Sequence, residues 1–233
     1  LASMLSTGSV SYLYYANRIV ELPLGLFAFA VSNVMLPTLS SAHARTDGGA
    51  LKTLTGESLV AVLLFTIPAT IGIIALAEPI FAILFMRGAF GPQDVAAAAQ
   101  ALRMYALGLC AIGVSRVLTQ TLYAMQQAGR VVRTAWISLV INALLSVALM
   151  PLLGYAGIAL ASSVSVTLQM LMLYRILSRQ GIRVGSGIWT AVGKMTGAVA
   201  VMGAGLLWFV RMNFWAGGLS LTSLSLLFSS IAL

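Results

Sequence analysis

The stretch SVSYLYYANRIVELPLGLFAFAVSNVMLPTLSS, residues 9–41, sets an arginine and a glutamate inside an otherwise apolar run. A run of this length reads as a membrane-spanning helix, because about 20 apolar residues cross the hydrocarbon core. Arg18 lies well inside it. A charge at bilayer depth costs at least ~2.5–3.5 kcal/mol, so Arg18 must face protein or a wet cavity rather than lipid. On helical spacing Tyr14, Arg18 and Gly25 share a face with Asn17 and Glu21, and Ser11 lies on the same side. Tyr15, Ile19, Leu22 and Leu26 fall opposite and should pack on protein or lipid. One polar stripe on an apolar helix is the pattern of a helix that lines a cavity. Pro23 removes a backbone hydrogen bond and kinks the helix. The kink serves either as a hinge or as structure alone.

The rest of the chain is of the same kind. Of 233 residues, 60% are hydrophobic and 8% charged, against roughly 25% charged in an average soluble domain. The mean hydropathy is +1.01. Sixty per cent of 233 is about 140 residues, enough for seven spans of ~20. This excludes a soluble globular protein, a disordered tail and a secreted disulfide scaffold. The fold class is therefore an all-α, polytopic membrane helix bundle of about seven spans, the last truncated. The spans are drawn at 11–40, 55–77, 97–122, 132–150, 157–175, 188–210 and 218 to the end. Spacing near 20 residues favours helices over a barrel, whose strands are ~10 residues of alternating polarity. Glycines are frequent, for example Gly193 with Gly197 and Gly203 with Gly205, and small residues let membrane helices approach closely. No repeat of 20–50 residues is present. Residue 1 is Leu and the chain stops inside an apolar run, which reads as a piece of a longer membrane protein.

Charge gives an orientation. Loops alternating to one side carry Arg45, Lys52, Arg130, Arg133, Arg175, Arg179 and Arg183, whereas the other side has Arg87 and Arg211. The basic side is expected to be cytoplasmic. Arg18, Arg103, Arg116 and Lys194 fall inside spans, and the last three are expected to snorkel to head groups. Basic residues scattered between apolar runs do not form a nucleic-acid surface. The connection at 78–96 reads as a short interfacial helix and a turn between Glu78-Pro79 and Gly91-Pro92, with Asp94 near the next helix N-terminus. Cys110 reads as a small side chain in an apolar run. His43 falls in a cytoplasmic loop.

Two readings of Arg18 stay open on the residues alone. Arg18 and Glu21 form an i, i+3 ion pair that fixes packing, or Arg18 binds an anion in a wet cavity while Glu21 orients it. A guanidinium makes two-point bonds to phosphate oxygens. A second constellation comprises Asn142 and Ser146 at i, i+4 on the fourth span, with Ser138 a turn earlier. Ser162, Ser165 and Gln169 share a face of the fifth. These oxygens either act as interhelical packing bonds or hold a sodium ion. With 5 acidic residues, mostly near loops, the sequence has no carboxylate pair, nucleophile–base arrangement or Gly-rich nucleotide loop. No catalytic residues, metal site or cofactor are expected.

The run GSVSYLYYANRIVELPLGLFAFAVSNVMLPTLS resembles the signature of the MurJ/MviN lipid II flippases of the multidrug/oligosaccharidyl-lipid/polysaccharide exporter superfamily. The resemblance continues through EPIFAILFMRGAF, YAMQQAGRVVRTA and MPLLGYAGIALASSVS, and fades after about residue 185. It implies a fourteen-helix fold in two lobes around a central cavity. Residues 1–180 would be the second-lobe bundle without its first helix, and 181–233 a truncated C-terminal helix pair that helps form a groove for the lipid tail. The implied activity moves lipid II, an undecaprenyl-pyrophosphate-linked disaccharide-peptide, from the cytoplasmic to the periplasmic leaflet of the bacterial inner membrane. The full-length chain would act as a monomer among membrane lipids, without nucleic acid. Arg18, with Glu21, Asn17 and Tyr14, takes the position of the family's cavity-lining YYADR-type motif. Asn17 stands where that motif has Asp, leaving Arg18 more net positive. The resemblance also implies sodium at Asn142, Ser146 and Ser162, held less strongly because Ser146 replaces a carboxylate. Sodium or the membrane potential is the expected energy source. The alternatives are a polysaccharide-lipid flippase or a drug/sodium antiporter of the same superfamily, and a membrane scaffold without transport. An antiporter would call for a carboxylate-rich cation site, and a scaffold for no cavity.

Overall fold

The structure, a computed structural model, describes residues 8–25, 29–45, 48–88, 90–182, 193, 195, 197, 199 and 201–205. Its elements are α1 (Ser9–Pro23), α2 (Phe29–Ala44), α3 (Gly48–Phe85), α4 (Pro92–Ala106), α5 (Leu109–Ala124) and α6 (Ala128–Arg179). Three continuous helical stretches, Gly48–Phe85, Pro92–Ala124 and Ala128–Arg179, are long and apolar enough to cross a membrane. Helices are the answer the bilayer imposes, since a backbone in hydrocarbon must satisfy its own hydrogen bonds.

Within the expected first span lie α1 and α2, and residues 26–28 between them are outside the described residues. Pro23 cannot donate to the Ile19 carbonyl, and the helix passes into a wider π-type turn at Leu24–Gly25 before α2 begins. The expected loop at 41–54 shrinks, because α2 runs to Ala44 and α3 starts at Gly48. His43 therefore sits exposed in the last turn of α2, not in a loop.

The interfacial helix expected after Glu78-Pro79 does not exist as a separate element. α3 continues through Pro79 to Phe85. Loss of one N–H at Pro79 is offset by burial: Ala77 and Phe81 are fully buried. Glu78 also accepts a hydrogen bond from Arg103 Nη2 on α4 at 2.9 Å. Arg103 does not snorkel outward; it pairs with Glu78. The connection to α4 follows, with residues 86–88, 90 and 91 described. Asp94 then lies in the first turn of α4, as expected, accepting the Gly91 N–H at 2.8 Å and the Tyr12 hydroxyl of α1. Tyr12, Tyr15, Phe85, Phe90 and Tyr155 close this end of the bundle with edge-on and tilted ring contacts.

α4 and α5 are one span with a break at Leu107–Gly108. A side chain at Gly108 would come within 2.9 Å of the Ser163 backbone, so only glycine lets α6 approach there. Ser163 Oγ in turn donates to the Met104 carbonyl at 2.6 Å, capping a carbonyl at the break. α6 is a hairpin of the expected fourth and fifth spans. It turns at Pro151 and at Gly154, whose φ of 57 suits glycine. The two arms are tied by Ser138 Oγ to Ser165 O at 3.0 Å and Asn142 Nδ2 to Ser162 Oγ at 3.3 Å.

Two apolar clusters result. One joins α1, the end of α3 and α4 around Leu13, Ala16, Phe81 and Leu102. The other joins α2, the start of α3, the end of α5 and the ends of α6 around Leu39, Val62, Leu122 and Leu177. The outer face of α6 stays apolar and exposed, with Trp136, Leu144 and Leu152 uncovered, as a face toward lipid requires. Of the expected sixth span, residues 201–205 are helical, and Gly203 lies against Ile71 of α3. Lys194 and the expected seventh span lie outside the described residues.

Candidate functional site

α1 packs through Leu13, Ala16, Ile19, Val20 and Leu24, all buried. Ser11, Tyr14, Asn17, Arg18, Glu21 and Gly25 are all exposed. The polar stripe read from spacing is thus the open face of the helix. Of the opposite side, Ile19 is buried against protein and Leu22 is 63% exposed, while Leu26 lies outside the described residues. The buried arc centres on Ala16 and Val20, and Leu22 lies beyond its edge.

Within the stripe the side chains meet. Arg18 Nη1 donates to Glu21 Oε2 at 3.0 Å. Arg18 Nε and Nη2 each reach the Tyr14 hydroxyl oxygen at 3.4 Å, and the guanidinium carbon stands 5.3 Å from the Tyr14 ring centre. Asn17 Nδ2 donates to the other glutamate oxygen, Oε1, at 2.8 Å. Glu21 therefore orients two neighbours at once. The Arg18 side chain remains 62% exposed. One N–H on each terminal nitrogen is left beyond these bonds and free to donate to an acceptor oxygen.

The structure also brings Asn142, Ser146 and Ser162 together. Ser146 Oγ donates to Asn142 Oδ1 at 3.1 Å, and Asn142 Nδ2 to Ser162 Oγ at 3.3 Å. Ser162 Oγ donates to the Ile158 carbonyl at 3.2 Å. These bonds tie the three side chains to one another across the hairpin.

The comparisons with known proteins join this geometry to a family. The family model described as "Lipid II flippase MurJ" matches residues 1–227. The chain belongs to the lipid II flippase MurJ family. A relative from Vibrio cholerae serotype O1, named "Probable lipid II flippase MurJ", is 40% identical over 232 residues, covering 97% of this chain and 44% of the relative. The Haemophilus influenzae protein of the same name is 36% identical over 226 residues, covering 93% of this chain and 44% of the relative. A solved structure titled "Lipid II flippase MurJ, inward closed conformation" superposes with a TM-score of 0.75 at 27% identity. It covers 99% of this chain and 48% of that one. The chain spans less than half the length of these MurJ relatives. MurJ membership makes it a multi-pass membrane protein, and the match extends well past the point near residue 185 where the sequence resemblance fades.

Sequence reading missed one arrangement. Arg130, Arg133, Arg175 and Arg179 line a single groove of about 580 Å³ at the open end of the α6 hairpin. Read along the chain they are loop charges on two separate spans. The signal that gathers them was available, since a hairpin turning near 151–156 sets residues 130–133 beside 175–179.

Proposed function

We propose that the protein carrying this chain is a lipid II flippase of the bacterial inner membrane. It would move the pyrophosphate-linked precursor from the cytoplasmic to the periplasmic leaflet by alternating access, for cell-wall synthesis. The observation that carries the reading is Arg18: a guanidinium oriented by Glu21 and Tyr14, and exposed on a helix of an apolar bundle. A pyrophosphate leaving water and head-group contacts needs a compensating cation, and charge-assisted bonds are roughly twice as strong as neutral ones. Glu21 keeps Arg18 aimed and partly neutralised, so that the anion is released as well as bound. Pro23, whose missing N–H weakens the helix, and the wide turn at Leu24–Gly25 lie beside the site, where rocking of the lobes would be accommodated. The names of the relatives favour this substrate over a polysaccharide-lipid or drug cargo. Sodium or the membrane potential drives the cycle, with Asn142, Ser146 and Ser162 the candidate sodium ligands. The full-length chain acts as a monomer, and no step of the cycle is catalytic.

The test is rescue of a flippase-depleted strain by the complete protein, with membrane levels matched by blot. Arg18→Ala is expected to abolish rescue at normal membrane abundance. Normal growth on Arg18→Ala would leave Arg18 as a packing residue.

A further inference from the structure

The arginine groove on α6 is independent of Arg18. Its four cations come from the first two turns and the last turns of one hairpin. Gln127 and Gln180 tie the two ends together by reciprocal side-chain bonds of 3.1 and 2.7 Å. Among the described residues no carboxylate pairs with any of the four arginines. The first turn of α6 has no acidic residue, and Gln127 makes no side-chain cap bond. Arg130 and Arg133 thus sit at the positive end of a helix dipole, where anions and not cations are favoured. The C-terminus of the second arm, at Arg175 and Arg179, offsets that dipole, so the four guanidinium charges themselves make the positive potential of the groove, which a bound anion relieves.

The walls say which anion. Beyond the arginines the groove is lined by Ile137, Met172 and Ile176, with Thr134 and Gln180 the uncharged polar members. Next along that face of the first arm, Val140 and Leu144 are more than half exposed. A ligand seated here meets guanidinium groups at one end and an uncovered apolar helix at the other. A nucleotide or free phosphate would leave that apolar face in water, whereas an amphiphile covers both.

We infer that this groove binds the phosphate of an anionic phospholipid headgroup, with the acyl chains lying along the exposed face of α6. The four arginines supply planar two-point contacts to phosphate oxygens, and the Gln127–Gln180 pair holds the two arms at a fixed separation. The site would hold a resident lipid at the basic ends of the helices and so set the depth of the hairpin in the membrane.

The experiment uses the complete protein purified in a neutral detergent, with bound lipid counted by native mass spectrometry. Phosphatidylglycerol and phosphatidylcholine of the same chain length are the probes. Wild type is expected to retain phosphatidylglycerol in preference to phosphatidylcholine. Arg130→Gln with Arg133→Gln, and Arg175→Gln with Arg179→Gln, should each weaken phosphatidylglycerol binding at least about tenfold, as expected for loss of charge-assisted contacts. Arg45→Gln with Lys52→Gln, exposed basic residues outside the groove, should not. Arg175→Lys with Arg179→Lys should restore part of the binding, which a purely steric role for the side chains would not allow. Unchanged retention in both glutamine pairs would overturn the site. An equal fall in the Arg45 and Lys52 variant would reduce it to general surface charge. Inorganic pyrophosphate binding as tightly as the lipid, with the same arginine dependence, would make it a soluble-anion site instead. The readout is lipid retention, so it stands apart from whether Arg18 handles the transported substrate.

Discussion

On α1, Arg18 commits three of its nitrogens to Tyr14 and Glu21. On α4, Arg103 is paired with Glu78. At the ends of α6, four arginines line one groove without a carboxylate among the described residues. The same side chain is therefore used in two ways. Where it is oriented and partly neutralised, an incoming anion must share it with a carboxylate, which suits a ligand that binds and leaves. Where several cations converge unpaired, the favourable state is the occupied one, which suits a ligand that stays. The neighbours distinguish the two settings, not the arginines themselves.

The largest expected effect tests the paired setting. Arg18→Lys keeps the charge but cannot bond Tyr14 and Glu21 while presenting two more donors in a plane. Headgroup translocation in proteoliposomes should fall by roughly tenfold or more, the scale of one charge-assisted bond. Glu21→Gln should fall less, because a neutral amide still accepts from Arg18. A larger loss with Glu21→Gln than with Arg18→Lys would mean that the carboxylate itself handles the substrate, and the contrast with the groove would vanish.

A smaller effect is expected from giving the groove the carboxylate it lacks. Gln180→Glu places a charge among Arg130, Arg133, Arg175 and Arg179 and can still accept from Gln127. Phosphatidylglycerol preference, measured by the same lipid count, should drop severalfold while total lipid retention holds. An undiminished preference would show that pairing does not govern occupancy.

The smallest effect belongs to the structural pair. Glu78→Gln leaves Arg103 with a neutral partner. Both side chains are more than a third exposed, so solvent screens the pair and the loss should be at most about 1 kcal/mol. Thermal unfolding followed by circular dichroism in detergent checks it. A much larger loss would mean that the pair, rather than the burial of Phe81, carries α3 past Pro79.

The stripe on α1 was legible because its members are three and four residues apart, so a single helix brings them together. On the opposite side Ile19 is buried and Leu22 is exposed, a division that spacing alone did not draw. A helix does not reveal which neighbour covers it. The segment 78–85 was misread for a related reason. Glu78-Pro79 is a local stop signal, but the groups that override it, Arg103 and the apolar residues around Phe81, come from another helix.

By itself the sequence determined that the chain crosses a membrane repeatedly as helices, because apolar runs near 20 residues and the hydrogen-bonding demand of hydrocarbon leave no other backbone solution. It also determined where the basic ends lie and which face of α1 carries Arg18, since both follow from counting along the chain. Only the tertiary structure decided that Gly108 lets α6 close on the α4–α5 break, and that Gln127 and Gln180, 53 residues apart, hold four arginines around one groove. The reason is physical: periodicity fixes what a helix presents, but the register of one arm against another is fixed by close packing and paired polar groups.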